Sequence, residues 1–331
     1  MKLNILHNIY AGLIGLPVLL ACSFSVNAVP LDCAGGCSVS AIDPIDGSEH
    51  IIRYSATAPS IIDDGFSFKA KMPGGLTEWS VDAQNVLFSQ ASFYRIGAAG
   101  GEINPSNNFN FDDFMSTEDQ DEKVIHVVWD GDTSSLRIEE IYRLQTSNDA
   151  GRISQVGKDI IITNKTGSPI DLDWFEYTDL DIHDFFDDKV VHRTHAGVDV
   201  IDQVNYDTNS IVTTQAWSTM QDGVFIFTQP TAFDLDIFGG KLVEFGGPVT
   251  LLDELLDNLP TALDSSPEAL GLPGGADLIF GLQYSFEDVI DSVVIRTNMT
   301  LLPVPEPSLI TLFLFGLPLI AKKRKSKVIS G

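Results

Sequence analysis

The chain has 331 residues, of which 46 are acidic and only 20 are Lys or Arg, so its formal net charge is −26. So large a negative excess argues against nucleic acid or an anionic lipid surface as a partner, and it favours solubility and the binding of cations. The 44% of hydrophobic residues is ample for a folded core.

The N-terminus has the layout of a secretory signal peptide. Lys2 precedes an apolar stretch over residues 9–21, and the small residues of "SVNA" lead to a cleavage site that we place after Ala28. An alternative lies in "LLAC", where Cys22 would be lipidated and become the new N-terminus. Both interpretations predict export by the Sec machinery and removal of the leader by a signal peptidase.

Two cysteines remain after the leader, Cys33 and Cys37 in "DCAGGC". In an oxidising compartment they can close a small disulfide ring, with the intervening glycines supplying the flexibility. A metal site would need further soft ligands nearby, and a redox motif would usually space the cysteines by two residues. We therefore predict a disulfide between Cys33 and Cys37.

The body alternates apolar and polar residues in many short segments, which is the pattern of half-buried strands. The segments "KVIHVVW" and "SLRIEEIYRLQ" flank a turn at Asp130 and Gly131 and predict a hairpin. The segments "KDIIITN" and "PIDLDWFEYTDLDI" repeat this pattern with Gly167 at the turn, and "NSIVTTQAW" and "GVFIFTQP" predict two further strands.

The densest acidic segment is "DLDWFEYTDLDIHDFFDD", over residues 171–188. Carboxylates that alternate along a strand and continue into a loop offer the oxygen ligands that calcium prefers. We name Asp179, Asp181 and Asp184 as candidate calcium ligands, with a solvated acidic face as the alternative. We expect no other cofactor.

One segment, "VTLLDELLDNL", has leucines at helical spacing and predicts a short amphipathic helix that ends at Pro260. Two alternating segments follow it, "LIFGLQYSF" and "VVIRTNMTL", and we predict that they pair as a hairpin around "EDVID". Many strands with little helix indicate an all-β fold, a jelly-roll-like antiparallel β-sandwich. A signal helix and a hydrophobic tail helix are expected to flank it.

The C-terminal tail has a different character from the acidic body. It opens with a short motif: Pro305, Glu306 and Pro307. Residues 308–321 carry no charge, and as a helix they would span about 21 Å, less than the hydrocarbon core of about 30 Å. Four cations follow: Lys322, Lys323, Arg324 and Lys325. Such a cluster remains on the cytoplasmic side, so the tail predicts a marginal membrane stop with the body outside.

This order of motif, apolar run and basic end resembles the PEP-CTERM sorting signal of Gram-negative bacteria. The resemblance implies that exosortase, an integral-membrane enzyme, recognises the tail and cuts near it. It implies transient anchoring in the inner membrane, and then a place at the cell surface or outside the cell. It covers residues 304–331 only, and it departs from the pattern in having mostly Lys where Arg is commoner. An ordinary C-terminal anchor after a proline-rich linker is the alternative.

The expected organisation is a signal peptide over residues 1–28, an exported domain over 29–303 and a sorting signal over 304–331. The body has no Gly-x-Ser-x-Gly elbow and no phosphate-binding glycine loop, and its carboxylates are too numerous for one pair to stand out. We therefore expect a non-catalytic surface or matrix protein that contacts exopolysaccharide in a biofilm. The alternative is a secreted glycan-active hydrolase with an acidic cleft.

Overall fold

The computed structural model describes most of the body of the chain. The described residues are 36–55, 61–63, 68–70, 74–87, 89–108, 110–118, 123–131, 134–146, 153–182, 188–195, 198–205, 210–240, 251–257, 259–261, 263 and 276–303. They form nineteen strands and two short helices, and all their strand pairings are antiparallel. The predicted all-β antiparallel sandwich is confirmed. The signal peptide and the sorting tail lie outside the described residues.

Two small sheets come from the N-terminal part of the chain. The first contains, in spatial order, β1 (Cys37–Ile42), β2 (Glu49–Ser55), β5 (Gly75–Val81) and β6 (Gln84–Leu87). The second is the two-stranded pair β3 (Ile61–Asp63) and β4 (Phe68–Ala70). We refer to the first of these as the N-terminal sheet.

A nine-stranded sheet forms one complete layer of the sandwich. Its strands, in spatial order, are β13 (Asp188–His195), β14 (Val198–Asn205), β15 (Ser210–Gln221), β19 (Ser292–Pro303), β11 (Ser154–Asn164), β10 (Leu136–Gln145), β9 (Lys123–Asp130) and β8 (Asn110–Glu118). The ninth strand, β16 (Val224–Thr228), pairs with β15. The predicted hairpin between β9 and β10 is confirmed.

A four-stranded sheet lies opposite the nine-stranded sheet. Its strands, in spatial order, are β17 (Ala232–Gly240), β18 (Ala276–Val289), β12 (Ile170–Asp179) and β7 (Ser89–Ile96). Helix α1 (Pro105–Asn108) follows β7 along the chain. One hydrophobic core contains residues of the N-terminal, four-stranded and nine-stranded sheets, and each contributes a tryptophan that is at most 1% exposed: Trp79, Trp174 and Trp129.

Helix α2 (Leu251–Leu256) forms a third layer on the outer face of the four-stranded sheet. Its Leu251 and Leu255 belong to a second apolar cluster with Phe93 and Phe175, which confirms the predicted amphipathic helix. The helix is shorter than the leucine pattern suggested, because the side chain of Asp257 accepts the backbone N–H of Leu259 at 2.7 Å. This local hydrogen bond competes with helix continuation.

The predicted pairing of β18 with β19 is wrong. The two strands follow each other with only residues 290–291 between them, but β18 pairs in the four-stranded sheet and β19 in the nine-stranded sheet. The same holds for β11 and β12, so the turn predicted at Gly167 crosses between the two layers, and Gly167 adopts a φ of 70° there. Both segments are corners of the sandwich and not hairpins, although each strand alternates as predicted.

Asn164 connects these two corners. Its backbone N–H donates to the carbonyl oxygen of Asp291 at 2.8 Å, and its side-chain amide donates to the carbonyl oxygens of Val289 at 2.8 Å and Ser168 at 2.7 Å. The side-chain oxygen accepts the backbone N–H of Thr166 at 2.9 Å. Since Asn164 is only 8% exposed, water does not readily replace these bonds.

Replacing Asn164 should therefore destabilise the sandwich more than its small volume suggests. We expect Asn164→Ala to lower the free energy of unfolding by about 1–3 kcal/mol, because it removes the side-chain donor to the buried carbonyl of Val289. Urea unfolding followed by tryptophan fluorescence measures the change. The neighbouring Thr163→Ala serves as the control, and an equal loss in both variants would contradict this role of Asn164.

Candidate functional site

The candidate site is the outer face of the central strands of the nine-stranded sheet. Along β15 the buried residues Val212, Thr214 and Ala216 alternate with the partly exposed Gln215 and Trp217. This alternation follows from the period of two along a strand, and it directs the Trp217 side chain away from the core. We call this surface the Trp217 face; it comprises Arg143, Asp159, Gln215, Trp217, Phe225, Phe227, Arg296 and Asn298.

Cross-strand register places the polar members of the Trp217 face in rows. Trp217 is the Cα partner of Arg296, and Arg296 is the partner of Asp159. In the adjacent row Gln215 is the partner of Asn298. Successive strands lie about 4.7–4.9 Å apart, so the rows form one continuous surface lined with amide and guanidinium groups.

An aromatic strip on β16 adjoins these rows. The rings of Trp217 and Phe227 stack with centroids 6.4 Å apart and an interplanar angle of 25°. Phe227 is 50% exposed and Phe225 is 67% exposed. Large apolar side chains clustered on a surface and bordered by polar residues mark a site of interaction with another molecule.

The turn before the aromatic strip is held by a carboxylate. Asp222 and Gly223 have φ values of 51° and 75°, the left-handed conformation of a tight hairpin turn. The Oδ1 atom of Asp222 accepts backbone N–H groups of Ile290, Asp291 and Ser292 at 3.1, 2.6 and 3.1 Å. The β15–β16 turn is thereby attached to the corner between β18 and β19.

The carboxylate of Asp159 pairs with both arginines of the Trp217 face and offsets one of their two positive charges. Asp159 accepts from Arg143 Nη1 at 2.6 Å and from Arg296 Nε at 2.5 Å and Nη2 at 3.1 Å. Burial alone would raise the pKa of Asp159, but the two guanidinium groups more than offset it, and the pKa lies below its ordinary value. Asp159 is therefore an anion at neutral pH and holds both arginines in place.

A second candidate lies inside the sandwich, where Lys158 of β11 is buried between two glutamates. Its Nζ lies 3.2 Å from Oε1 of Glu140 on β10 and 3.1 Å from Oε1 of Glu176 on β12, and all three side chains are 0% exposed. Lys158 Nζ also donates to Ser92 Oγ at 2.7 Å. Burial lowers the pKa of Lys158, but Glu176 and Glu140 more than offset this effect and raise it.

Glu140 receives hydrogen bonds from all sides of this buried cluster. Tyr54 and Trp129 donate to its Oε2 at 2.9 and 3.2 Å, and Ser92 and Tyr142 donate to its Oε1 at 2.9 and 3.3 Å. Burial, followed by the charge of Glu140, raises the pKa of Tyr54 well above its ordinary value, so the tyrosine remains a donor. The cluster thus joins the N-terminal, four-stranded and nine-stranded sheets.

Sequence reasoning missed this cluster, although the alternation contains the signal. Glu140 stands between Ile138 and Tyr142 at an inward position of β10, and Lys158 and Glu176 occupy inward positions of β11 and β12. A charged residue at an inward position needs a buried partner. Three such positions, in three strands that follow one another along the chain, therefore indicate a common cluster.

The acidic segment at 171–188 does not form one surface. Asp173 faces outward and pairs with Arg95 Nη2 at 2.5 Å, whereas Glu176 faces the core. Asp179 and Asp181 are both buried, at 1% and 3% exposure, and Asp184 lies outside the described residues. Among the residues that the structure describes, no group of three or more His, Cys, Asp or Glu could hold a metal ion. The calcium site, which includes Asp184, stays a prediction.

The other predicted sites fall mainly outside the described ranges. Cys37 is buried and disulfide-bonded, and Cys33 lies outside these ranges, so the pairing of the two stays a prediction. Ala28, the motif at 305–307 and the cations at 322–325 also lie outside them. Of the helices that the structure describes, neither is both long and apolar enough to cross a membrane.

Comparison with known proteins gives structural likenesses only. No protein-family model and no curated protein matches the chain. A bacterial glucoamylase complexed with acarbose matches with a TM-score of 0.43 and 9% identity, over 67% of this chain and 28% of that one. A protein assigned as a kojibiose phosphorylase from the human microbiome matches with a TM-score of 0.39 and 11% identity, over 92% and 37%. The chain spans less than two fifths of the length of either protein.

These comparisons correct the expected function. Both names are those of carbohydrate-active enzymes, which runs against the expectation of a non-catalytic protein and agrees better with the glycan-active alternative. The likenesses assign no residue of this chain to a role.

The Asp159 cluster predicts a specific dependence of stability on pH. Because the folded pKa of Asp159 lies below the unfolded value of about 3.9, its contribution is complete well above that value and is lost as the pH falls through the folded pKa. We expect Asp159→Asn to lower the free energy of unfolding by about 1–3 kcal/mol at pH 7 and to flatten its decline below pH ~4.

Urea unfolding at several pH values measures both effects. The control is Asn298→Ala, which changes the same face without removing a titratable group and should keep the slope of the wild-type chain. An unchanged slope in Asp159→Asn would contradict the role assigned to this carboxylate.

Proposed function

We propose that the chain is a glycan-active protein that binds polysaccharide across the Trp217 face. The observation that carries this proposal is the stacked pair of Trp217 and Phe227 beside the polar rows of β15, β19 and β11. The sugar rings of a glycan have apolar C–H faces that pack on aromatic rings, and hydroxyl groups at their edges. The Trp217 face offers partners for both.

The hydrogen-bonding groups of this face suit a neutral sugar chain. Gln215 and Asn298 each carry an amide that both donates and accepts, as a hydroxyl group requires. The guanidinium groups of Arg143 and Arg296 share the carboxylate of Asp159, which offsets one of their two charges, so they offer donors with a small net positive charge. The rows cross three strands, so the surface can contact several units of an extended chain and not only a single sugar.

The carboxylates near this face are better suited to binding a sugar than to donating a proton in catalysis. A general acid for glycoside cleavage needs a raised pKa. The pKa of Glu139 is lowered, first by its hydrogen bond to His126, and that of Asp159 is lowered by its arginines. These two carboxylates would hold substrate as anions, and the test of glycan activity must therefore measure cleavage as well as binding.

We also propose that the protein is exported and sorted by its tail. The support is the order of the signal peptide, the Pro-Glu-Pro motif, the apolar run and the basic end in the sequence. Signal peptidase would act after Ala28, and exosortase would act near residues 305–307. This location would bring the Trp217 face into contact with extracellular polysaccharide.

The first test removes the aromatic platform. We expect Trp217→Ala to weaken binding to soluble neutral polysaccharides by about tenfold or more, equivalent to about 1.4 kcal/mol, because it deletes the central stacking surface. Affinity electrophoresis against a panel of glucans, galactans and mannans measures binding, and reducing-end release from the same panel measures cleavage.

The control for this test is Leu259→Ala. Leu259 is 63% exposed and lies just after α2, on the opposite side of the sandwich, so its loss should leave binding unchanged. Equal binding by wild type and Trp217→Ala, or no binding and no cleavage across the panel, would refute the proposed function.

The second test concerns sorting. Glu306 is the single charge between Arg296 and Lys322, so Glu306→Ala alters the motif without changing the apolar run. We expect this variant to be exported but to keep its tail, whereas the wild-type chain loses it in a host that contains exosortase. The intact mass of each chain shows whether the tail is present. If the wild-type chain keeps its tail in the host that contains exosortase, the sorting proposal is wrong and the tail is an ordinary membrane anchor.

A further inference from the structure

We propose that Lys158 and Glu176 condense into an amide bond inside the sandwich, with Glu140 as the assisting base. The bond would join β11 in the nine-stranded sheet to β12 in the four-stranded sheet. It is a covalent modification that the chain would carry out on itself, independently of any glycan bound at the Trp217 face.

The geometry places the two reacting groups in contact. Lys158 Nζ lies 3.1 Å from Oε1 of Glu176, and both side chains are 0% exposed. Although this contact is short, Glu176 Oε1 is a buried atom that accepts no hydrogen bond. The amine nitrogen thus touches an oxygen of the carboxyl group that it would attack, and burial in the core keeps the two groups together.

The two glutamates have unequal surroundings, which assigns their roles. Glu140 receives four hydrogen bonds, from Tyr54, Ser92, Trp129 and Tyr142. Glu176 receives one, from Thr297 Oγ1 to its Oε2 at 2.7 Å. Glu140 is thus fixed in orientation 3.2 Å from the amine, which suits an assisting base, and Glu176 is the less restrained carboxyl group, which suits the point of attack.

The reaction balances without a co-reactant. A proton passes from the Lys158 ammonium to the Glu176 carboxylate, which gives a neutral amine beside a neutral carboxylic acid. Nζ forms a bond to Cδ of Glu176, while Glu140 accepts a second proton from Nζ and returns it to the departing hydroxyl group. The C–O bond breaks, one water molecule leaves, and Glu140 is again a carboxylate.

Burial favours this outcome. An ammonium and two carboxylates held without water carry a large desolvation penalty, which their ion pairs must offset for as long as the charges remain. Condensation removes one positive and one negative charge from the core and replaces them with a neutral amide. The remaining charge is on Glu140, which has the four donors.

Peptide mapping of the purified wild-type chain tests the proposal. Trypsin cuts after Lys and Arg, so an amide at Lys158 blocks cleavage there and leaves peptide 153–165 joined to peptide 166–189, which contains Glu176. We expect one cross-linked species with two N-termini, Ile153 and Thr166, and tandem mass spectrometry must identify both. Its mass, the sum of the two peptides minus one water, equals that of the linear peptide 153–189, which has a single N-terminus. The chain should be denatured and reduced before digestion, so that a folded core or a disulfide does not protect the site.

The chain provides its own control in the same digest. Lys165 also contacts a carboxylate, that of Asp130, but this pair is partly exposed, at 31% and 22%, and is open to water. Trypsin should therefore cut after Lys165 once the linked peptides are isolated, and the peptide that contains Asp130 should be unlinked. A cross-link at this pair as well would show that proximity alone, and not the buried cluster, explains the chemistry.

Two variants separate the roles. Glu176→Ala should abolish the linked species, and Glu140→Gln should reduce it strongly while Lys158 and Glu176 are still present. If either variant fails to fold, the wild-type digest alone decides the proposal. Free peptides 153–158 and 166–189 from the wild-type chain, with no linked species, would overturn it and leave a buried ion pair.

Discussion

Three buried charges, Lys158 between Glu140 and Glu176, determine how the sheets of this sandwich face one another. A buried ion pair stabilises little compared with an apolar cluster, but losing one partner is costly because a charge is left without compensation. Tyr54 and Ser92 donate hydrogen bonds to Glu140 from two other sheets. A small displacement of either sheet would break one of these buried bonds and destabilise the fold. The cluster therefore selects one packing arrangement among the many that the apolar residues alone would allow.

The strands that hold this cluster on the inside carry the Trp217 face on the outside. Lys158 points inward from β11, and its neighbour Asp159 points outward to Arg143 and Arg296. Whatever fixes the inner side chains therefore also fixes the spacing of the outer ones. A rigid array of this kind suits a ligand with a repeating structure, because little conformational entropy is lost when it binds.

Alternation along the strands was enough to predict the fold class and the inward or outward direction of many side chains. It was not enough to predict which strands pair with each other. Two strands joined by a turn show the same alternation whether they pair as a hairpin or belong to different layers of the sandwich. What separates these two cases here is long-range pairing and the hydrogen bonds of Asn164. The acidic segment shows the same limit, since Asp173 and Glu176 lie on opposite faces of one strand.

The two corners that Asn164 connects also affect how fast the chain folds. Each corner sends its strands to partners far along the sequence, as in the contact between Asp159 and Arg296, which are 137 residues apart. The chain loses the entropy of closing long loops before such pairings stabilise it, so proteins of high contact order fold in milliseconds to seconds. The unfolded chain should therefore persist for longer than a helical protein of equal length, and a protein that crosses a membrane before it folds would benefit from that delay.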